Sequence, residues 1–154
     1  MRIRKFKSSD SVEVARLNRS TIRCINKNDY PPQQIEVWSG RVSAKRFRES
    51  IPKRKRFVAV ENGRIVGFGD FSHDGELTGV YVHKDFQGKG VGKSLLKKLE
   101  EQAKKNKIKE FNLSSTITAK TFYERNVYQI IKKGKHEING QKLAIYRMKK
   151  KLEK

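Results

Sequence analysis

Apolar positions change their period several times along this 154-residue chain, and each change marks an element. Arg2 to Lys7 alternates weakly around Ile3 and Phe6 and predicts a first strand. Val14, Leu17, Thr21 or Ile22, and Ile25 then share one helical face, predicting a helix over about 11–26. Asp10-Ser-Val-Glu13 has capping-box spacing at its start. Asn28-Asp-Tyr-Pro31-Pro32 breaks that helix. Pro32 suits the first turn of a second helix, Pro32 to Trp38, which Gly40 closes. Ser43 can cap a third short helix reaching about Ser50.

The period then shortens. Phe57-Val-Ala-Val60 reads as a strand, Asn62-Gly63 as a two-residue hairpin turn, and Arg64 to Phe71 as the returning strand. Glu76 to Val82 completes a three-strand meander. Val91, Leu95, Leu96, Leu99 and Ala103 restore helical spacing over about 91–106, and Phe111 to Ser114 follows as a strand. Strand, helix, strand in that order predicts a crossover with the two strands parallel. Thr116 or Thr118 can cap a helix carrying Ala119, Phe122, Tyr123 and Asn126. Gln129 to Ile138, Asn139-Gly140 and Lys142 to Met148 form a final hairpin, and 149–154 reads as a frayed basic tail.

Length and composition narrow the classes. A chain of this size predicts one domain, 1–154, with a core that needs no staples. Cys24 is the one cysteine, so no internal disulfide can form and a reducing cytoplasm is expected. No apolar run of membrane-spanning length is present. His73, His83 and His136 are scattered without metal-ligand spacing, so no metal is expected. The net charge is +21, shared almost evenly between residues 1–56 and 57–154. It is therefore a surface property of the fold. Such a field suits solubility, or an RNA, ribosomal or other polyanionic partner.

The chemistry concentrates in Gly79-Val-Tyr-Val-His-Lys-Asp-Phe-Gln87-Gly-Lys-Gly-Val-Gly92-Lys-Ser94, a strand end, a glycine loop and a helix start. The first backbone N–H groups of a helix lack partners and sit at the positive end of its dipole. Glycines there admit a bulky anion, so the unit can hold a pyrophosphate, with Lys89 and Lys93 adding charge. The dinucleotide fingerprint G-x-G-x-x-G fails at Lys93, and the P-loop pattern fails where its first glycine falls on Gln87. The pattern [RQ]-x-x-G-x-[GA] is filled completely by Gln87 to Gly92. This segment resembles the acetyl-CoA signature of the GNAT superfamily of N-acetyltransferases. Ala119-Lys-Thr-Phe-Tyr123-Glu-Arg-Asn-Val-Tyr128 resembles a second family segment, departing where Val127 replaces a glycine that ends a helix in the left-handed conformation. Either Asn126 takes over that role or the helix end is rearranged.

The resemblance covers essentially the whole chain and implies an α/β (α+β) fold. It carries a mixed, mostly antiparallel central sheet of about six to seven strands, with helices on both faces. It implies acetyl-CoA as co-substrate, an amine acceptor of unread identity, and a homodimer among the family's assemblies. Main chain at Val80, Tyr81 and Val82, with the loop and helix start Gln87, Gly88, Lys89, Gly90, Val91, Gly92, Lys93 and Ser94, would hold the cofactor. Tyr123 would protonate the CoA sulfur; a core tyrosine is the plainer reading of the same residue. Gly79 suits a bulge that splays this strand from the next. The family often places an acid where this chain has Thr78, so Glu76 is the candidate base and Asp70 its rival. Tyr30 to Trp38 resembles the segment that walls the acceptor pocket, although Ile35 and Trp38 also fit a small core. Two other classes compete. A nucleotide hydrolase lacks the strand ending in a magnesium-binding aspartate, and a nucleic-acid module is supported by charge alone.

Overall fold

The computed structural model describes residues 1–152. Seven strands divide into two sheets. In the first, β1 (Arg2–Lys5), β2 (Arg54–Glu61), β3 (Arg64–Ser72) and β4 (Leu77–Val82) lie in that order, all antiparallel. In the second, β7 (Gln141–Lys151) lies between β5 (Glu110–Thr116) and β6 (Gln129–Ile138), again antiparallel. β4 and β5 edge the two sheets and face each other. They are joined at one parallel bridge, Glu76 to Asn112, and diverge beyond it. The expected parallel crossover is present in direction, but a seam opens where a continuous sheet would pair.

Five helices dress these sheets: α1 (Ser11–Cys24), α2 (Pro32–Gly40), α3 (Ala44–Glu49), α4 (Val91–Lys105) and α5 (Lys120–Arg125). α4 buries Val91, Leu95, Leu96, Leu99 and Ala103, the periodic positions of the sequence, with Phe71, Leu77, Phe111 and Met148 in one core. Its close seat depends on two glycines of β3. A Cβ at Gly67 would stand 2.9 Å from Leu95, and one at Gly69 would stand 2.9 Å from both Leu99 and the Gly79 carbonyl. On the opposite face, Val14 and Leu17 of α1 pack on Val58, Ile65 and Phe68. Tyr30, Ile35 and Trp38 join Ile138 and Leu143 of the last hairpin in a third cluster. The core reading of Ile35 and Trp38 is therefore the observed one.

Three sequence expectations need correction. Asp10 does not cap α1 through its side chain. Its carboxylate accepts the Lys7 N–H at 2.7 Å and a two-pronged bond from Arg4, while Glu13 accepts the Ile65 N–H at 2.7 Å. The guanidinium of Arg4, six residues earlier at the end of β1, outcompeted the cap. The basic end is not frayed through Lys151. Lys149 to Lys151 pair with Asn112, Phe111 and Glu110, Lys150 meets Glu100 at 3.1 Å, and Leu152 joins the core. Residues 153–154 of that stretch lie outside the described residues. Finally, neither threonine caps α5 directly. Thr116 accepts the Ala119 N–H in the preceding turn, and the helix starts at Lys120.

Candidate active site

The seam between β4 and β5 is floored by α5 and closed at one end by the start of α4. It forms a cleft of about 610 Å³, within the usual size of a ligand site. The divergence begins at a bulge: Asp70 pairs with Gly79 and Phe71 with Leu77, leaving Thr78 unopposed. The expected bulge beside Gly79 is thus present, one residue earlier.

Gly88 and Gly90 have φ of +71° and +82°, left-handed values that glycine adopts without a Cβ penalty, and Gly90 is the N-terminal cap of α4. The first intrahelical bond of that turn is Ser94 N–H to the Gly90 carbonyl, so the amides before it open toward the cleft without an intrahelical acceptor. Gly92 is bare for packing, since a Cβ there would sit 3.2 Å from Phe122 of α5. Val80, Tyr81, Val82, Gln87, Gly88, Gly90, Val91, Gly92 and Lys93 all line the cleft. Lys89 and Ser94 do not. Lys89 lies over the Phe86 ring at 5.2 Å. Gln87 turns inward, its amide nitrogen donating to the Val82 carbonyl at 2.7 Å. Arg125 also lines the cleft, a cation the sequence reading missed because it sits a helix away from the glycine motif.

Tyr123 is 2% exposed. Its ring meets Phe122 and Tyr128 edge-on, and its hydroxyl accepts the Val80 N–H at 3.2 Å. Burial pushes the phenol's pKa above its ordinary range, with the Tyr81 phenol adding to the effect. It is thus a protonated donor at any physiological pH. The structure brings this group and the β4 main chain together across 43 residues.

It does not bring the carboxylates in. Glu76 lies just before β4, outside the cleft lining, and Arg147 of β7 holds its two oxygens at 2.9 and 3.2 Å. Asp70 is buried in an ion pair with Arg56 at 2.6 Å. Neither partner was legible, because each arginine reaches its carboxylate across strands. The cleft's polar wall instead includes hydroxyls and amides, among them Thr21, Asn26, Thr78 and Ser114. Asn26 is 5% exposed. Its amide nitrogen donates to Thr118, and its carbonyl oxygen has no protein partner. Among the described residues no group of His, Cys, Asp or Glu could hold a metal ion, and no helix is long and apolar enough to cross a membrane.

Residues 26–152 match the family model described as an acetyltransferase (GNAT) domain. The chain belongs to the GNAT superfamily of acetyltransferases. An uncharacterized N-acetyltransferase of Escherichia coli strain K12, YafP, is 27% identical over 141 residues, covering 91% of this chain and 89% of that one. The crystal structure of an N-acetyltransferase from Rhodopseudomonas palustris superposes with a TM-score of 0.93 at 24% identity, over 98% of this chain and 95% of that one. The PaiA N-acetyltransferase of Thermoplasma acidophilum, solved in complex with coenzyme A, gives 0.80 at 21% identity over 97% and 98%. The GNAT architecture expected from the sequence is therefore the observed one, with its seven strands distributed over two sheets.

Proposed function

We propose that this GNAT chain transfers the acetyl group of acetyl-CoA to a primary amine by direct attack, with Tyr123 as general acid. The Tyr123 hydroxyl at 3.2 Å from the Val80 N–H, inside a cleft walled by the glycine-capped start of α4, carries this reading. The open amides of α4 and the cations Lys93 and Arg125 suit a pyrophosphate. The unpaired edge of β4 suits an amide-bearing arm lying along it as a further strand would. That the Thermoplasma relative was solved in complex with coenzyme A supports a ligand of that kind for this chain.

In this mechanism the amine nitrogen bonds to the thioester carbonyl carbon, and the Val80 N–H turns from Tyr123 to the developing oxyanion. The carbon–sulfur bond then breaks, and the sulfur takes the Tyr123 proton. An amine of pKa about 10.4 spends roughly 4–5 kcal/mol to be neutral at pH 7. Glu76 and Asp70 are committed to arginines, so water held by the hydroxyl wall accepts the amine's proton. Glu76 acts at one remove, fixing Arg147 against Ser114.

Calorimetric titration with acetyl-CoA, with magnesium–ATP as rival ligand, tests the reading. Micromolar acetyl-CoA binding with silence toward ATP is expected. ATP binding alone would replace the reading with a degenerate P-loop.

A further inference from the structure

Several polar side chains that line the cleft are already engaged within the protein. Thr78 bonds to Arg54, Ser114 accepts from Arg147 at 2.9 Å, and Thr116 accepts the Ala119 N–H at 3.0 Å. One atom is left over. Among the described residues, the buried side-chain atoms without a protein partner are the Oδ1 atoms of Asn18, Asn26 and Asp70. Asn18 and Asp70 lie outside the cleft lining, and Asp70 has its arginine. Asn26 lines the cleft at 5% exposure. A buried acceptor without a donor costs about what a lost hydrogen bond costs, so native folds seldom keep one without a reason. An amide oxygen can only accept, so whatever completes it must bring an N–H or O–H.

The oxygen is held in place from several sides. Asn26 follows Ile25, the C-terminal cap of α1, and opens a short turn. Its backbone carbonyl accepts the Asp29 N–H at 3.0 Å, and its side-chain nitrogen donates to Thr118, just beyond β5, at 3.2 Å. Tyr30 ties the same segment down. Its hydroxyl donates to the Ala144 carbonyl at 2.6 Å and accepts the Ile117 N–H at 2.9 Å. Toward β4, Thr21 near the end of α1 donates to the Val82 carbonyl at 3.3 Å. The end of α1 therefore reaches from β4 to the turn after β5, across the open side of the seam. It meets β4 at Val82, which lies between the Val80 N–H facing Tyr123 and the glycine loop that starts at Gln87.

We propose that Asn26 is a cofactor-binding residue whose Oδ1 accepts an amide N–H from the pantetheine arm of acetyl-CoA. This rests on the acetyl-transfer reading and adds a residue to its cofactor site. An extended amide chain laid along β4 directs its polar groups to both of its edges, one toward β4 and the other toward the opposite wall. That wall has to supply an acceptor, and Asn26 Oδ1 is buried there, fixed and unused. The stretch of cleft between the reacting centre and the glycine loop is where an arm joining thioester to pyrophosphate must run. The acceptor's amine is another source of N–H groups, but it enters at the thioester, and the test separates the two.

The test is calorimetry of the purified chain with acetyl-CoA and with adenosine 3′,5′-bisphosphate, which keeps the nucleotide end of the cofactor and lacks the arm. Asn26→Leu removes the acceptor at nearly constant volume. It is expected to weaken acetyl-CoA binding about tenfold, the worth of one hydrogen bond to a buried group, and to leave the bisphosphate unchanged. Asn26→Asp presents an acceptor and no donor in the same place, and the Thr118 hydroxyl can turn to donate to it, so most of the lost affinity should return. An Asn26→Leu variant that binds acetyl-CoA like the parent overturns the proposal. So does an equal loss for both ligands, which marks a packing role. An Asp variant as weak as the Leu variant overturns it too, since the cleft would then be meeting the amide NH₂ group. Unchanged acetyl-CoA affinity with a raised KM for glycinamide, read by thiol release, assigns Asn26 to the acceptor and also overturns it. Silence of the parent toward acetyl-CoA removes the acetyl-transfer reading and this inference together, whereas parent binding with no effect at Asn26 removes this inference alone.

Discussion

Tyr123 meets two demands, a phenol that stays protonated and a position against the β4 main chain. Burial meets the first and the Val80 N–H the second. Tyr123→Phe keeps the packing and removes the proton. Steady-state kinetics should show kcat reduced about 10²-fold, the low end for general acids because a thiol leaves easily, with acetyl-CoA affinity within a few-fold of the parent. An equal loss in both would mark a packing role. Val127 shows what sequence could not decide. Instead of Asn126 taking the left-handed position, Val127 itself has φ of +72°, at 70% exposure. A β-branched residue there is strained, so Val127→Gly should raise stability by about 1 kcal/mol, read as a higher thermal midpoint. The place of Tyr123 in the cleft was legible because a local motif carries it. The commitment of Glu76 was not, because Arg147 lies 71 positions later.

At the scale of elements, α4 links core and chemistry, since its start faces the cleft and its buried stripe rests on β3. Gly69→Ala presses a methyl group against the Gly79 carbonyl and Leu99, and the carbonyl cannot swing away as a side chain can. A cost of about 1–3 kcal/mol is expected in denaturant melts, with weaker acetyl-CoA binding as β4 shifts. Gly90→Val leaves that seat alone but imposes φ of +82° on valine at the mouth of the proposed anion site. Acetyl-CoA affinity should fall at least about tenfold while the circular dichroism spectrum is retained; intact affinity would sink the loop assignment. The apolar periods of α1 and α4 were readable because each helix buries one continuous stripe. The end of β7 was not, because lysines at 149–151 carry no apolar alternation, and their place is set by β5 and Glu100 across the fold.

The whole molecule holds four shielded phenols, Tyr30, Tyr81, Tyr123 and Tyr128. Burial raises the pKa of each, to about 12 for Tyr81. Each ionises near pH 10 in the unfolded chain. Above that pH the unfolded state loses protons that the folded state keeps, so stability is full below about pH 10 and falls as pH rises toward the folded values. Thermal melts from pH 9 to 12 should show that decline, with tyrosinate absorbance appearing together with unfolding. Ionisation well before unfolding would contradict the burial. The order of strands and helices was legible along the chain, whereas the seam was expected only through the family resemblance and the bulge at Gly79, because divergence of β4 from β5 is a property of two strands far apart in sequence.

That seam also sets a clock. Until something fills it, Val80 lends its N–H to a phenol, and the Val82 carbonyl is covered by the side chains of Thr21 and Gln87. These are borrowed bonds at a strand edge, single and easily exchanged, beside ladders that open only with larger fluctuations. In deuterated water the amides flanking the seam should therefore label early while their neighbours on β3 and β7 stay protected. The tempo of that labelling, slowing as acetyl-CoA is added, would count how often the enzyme stands empty.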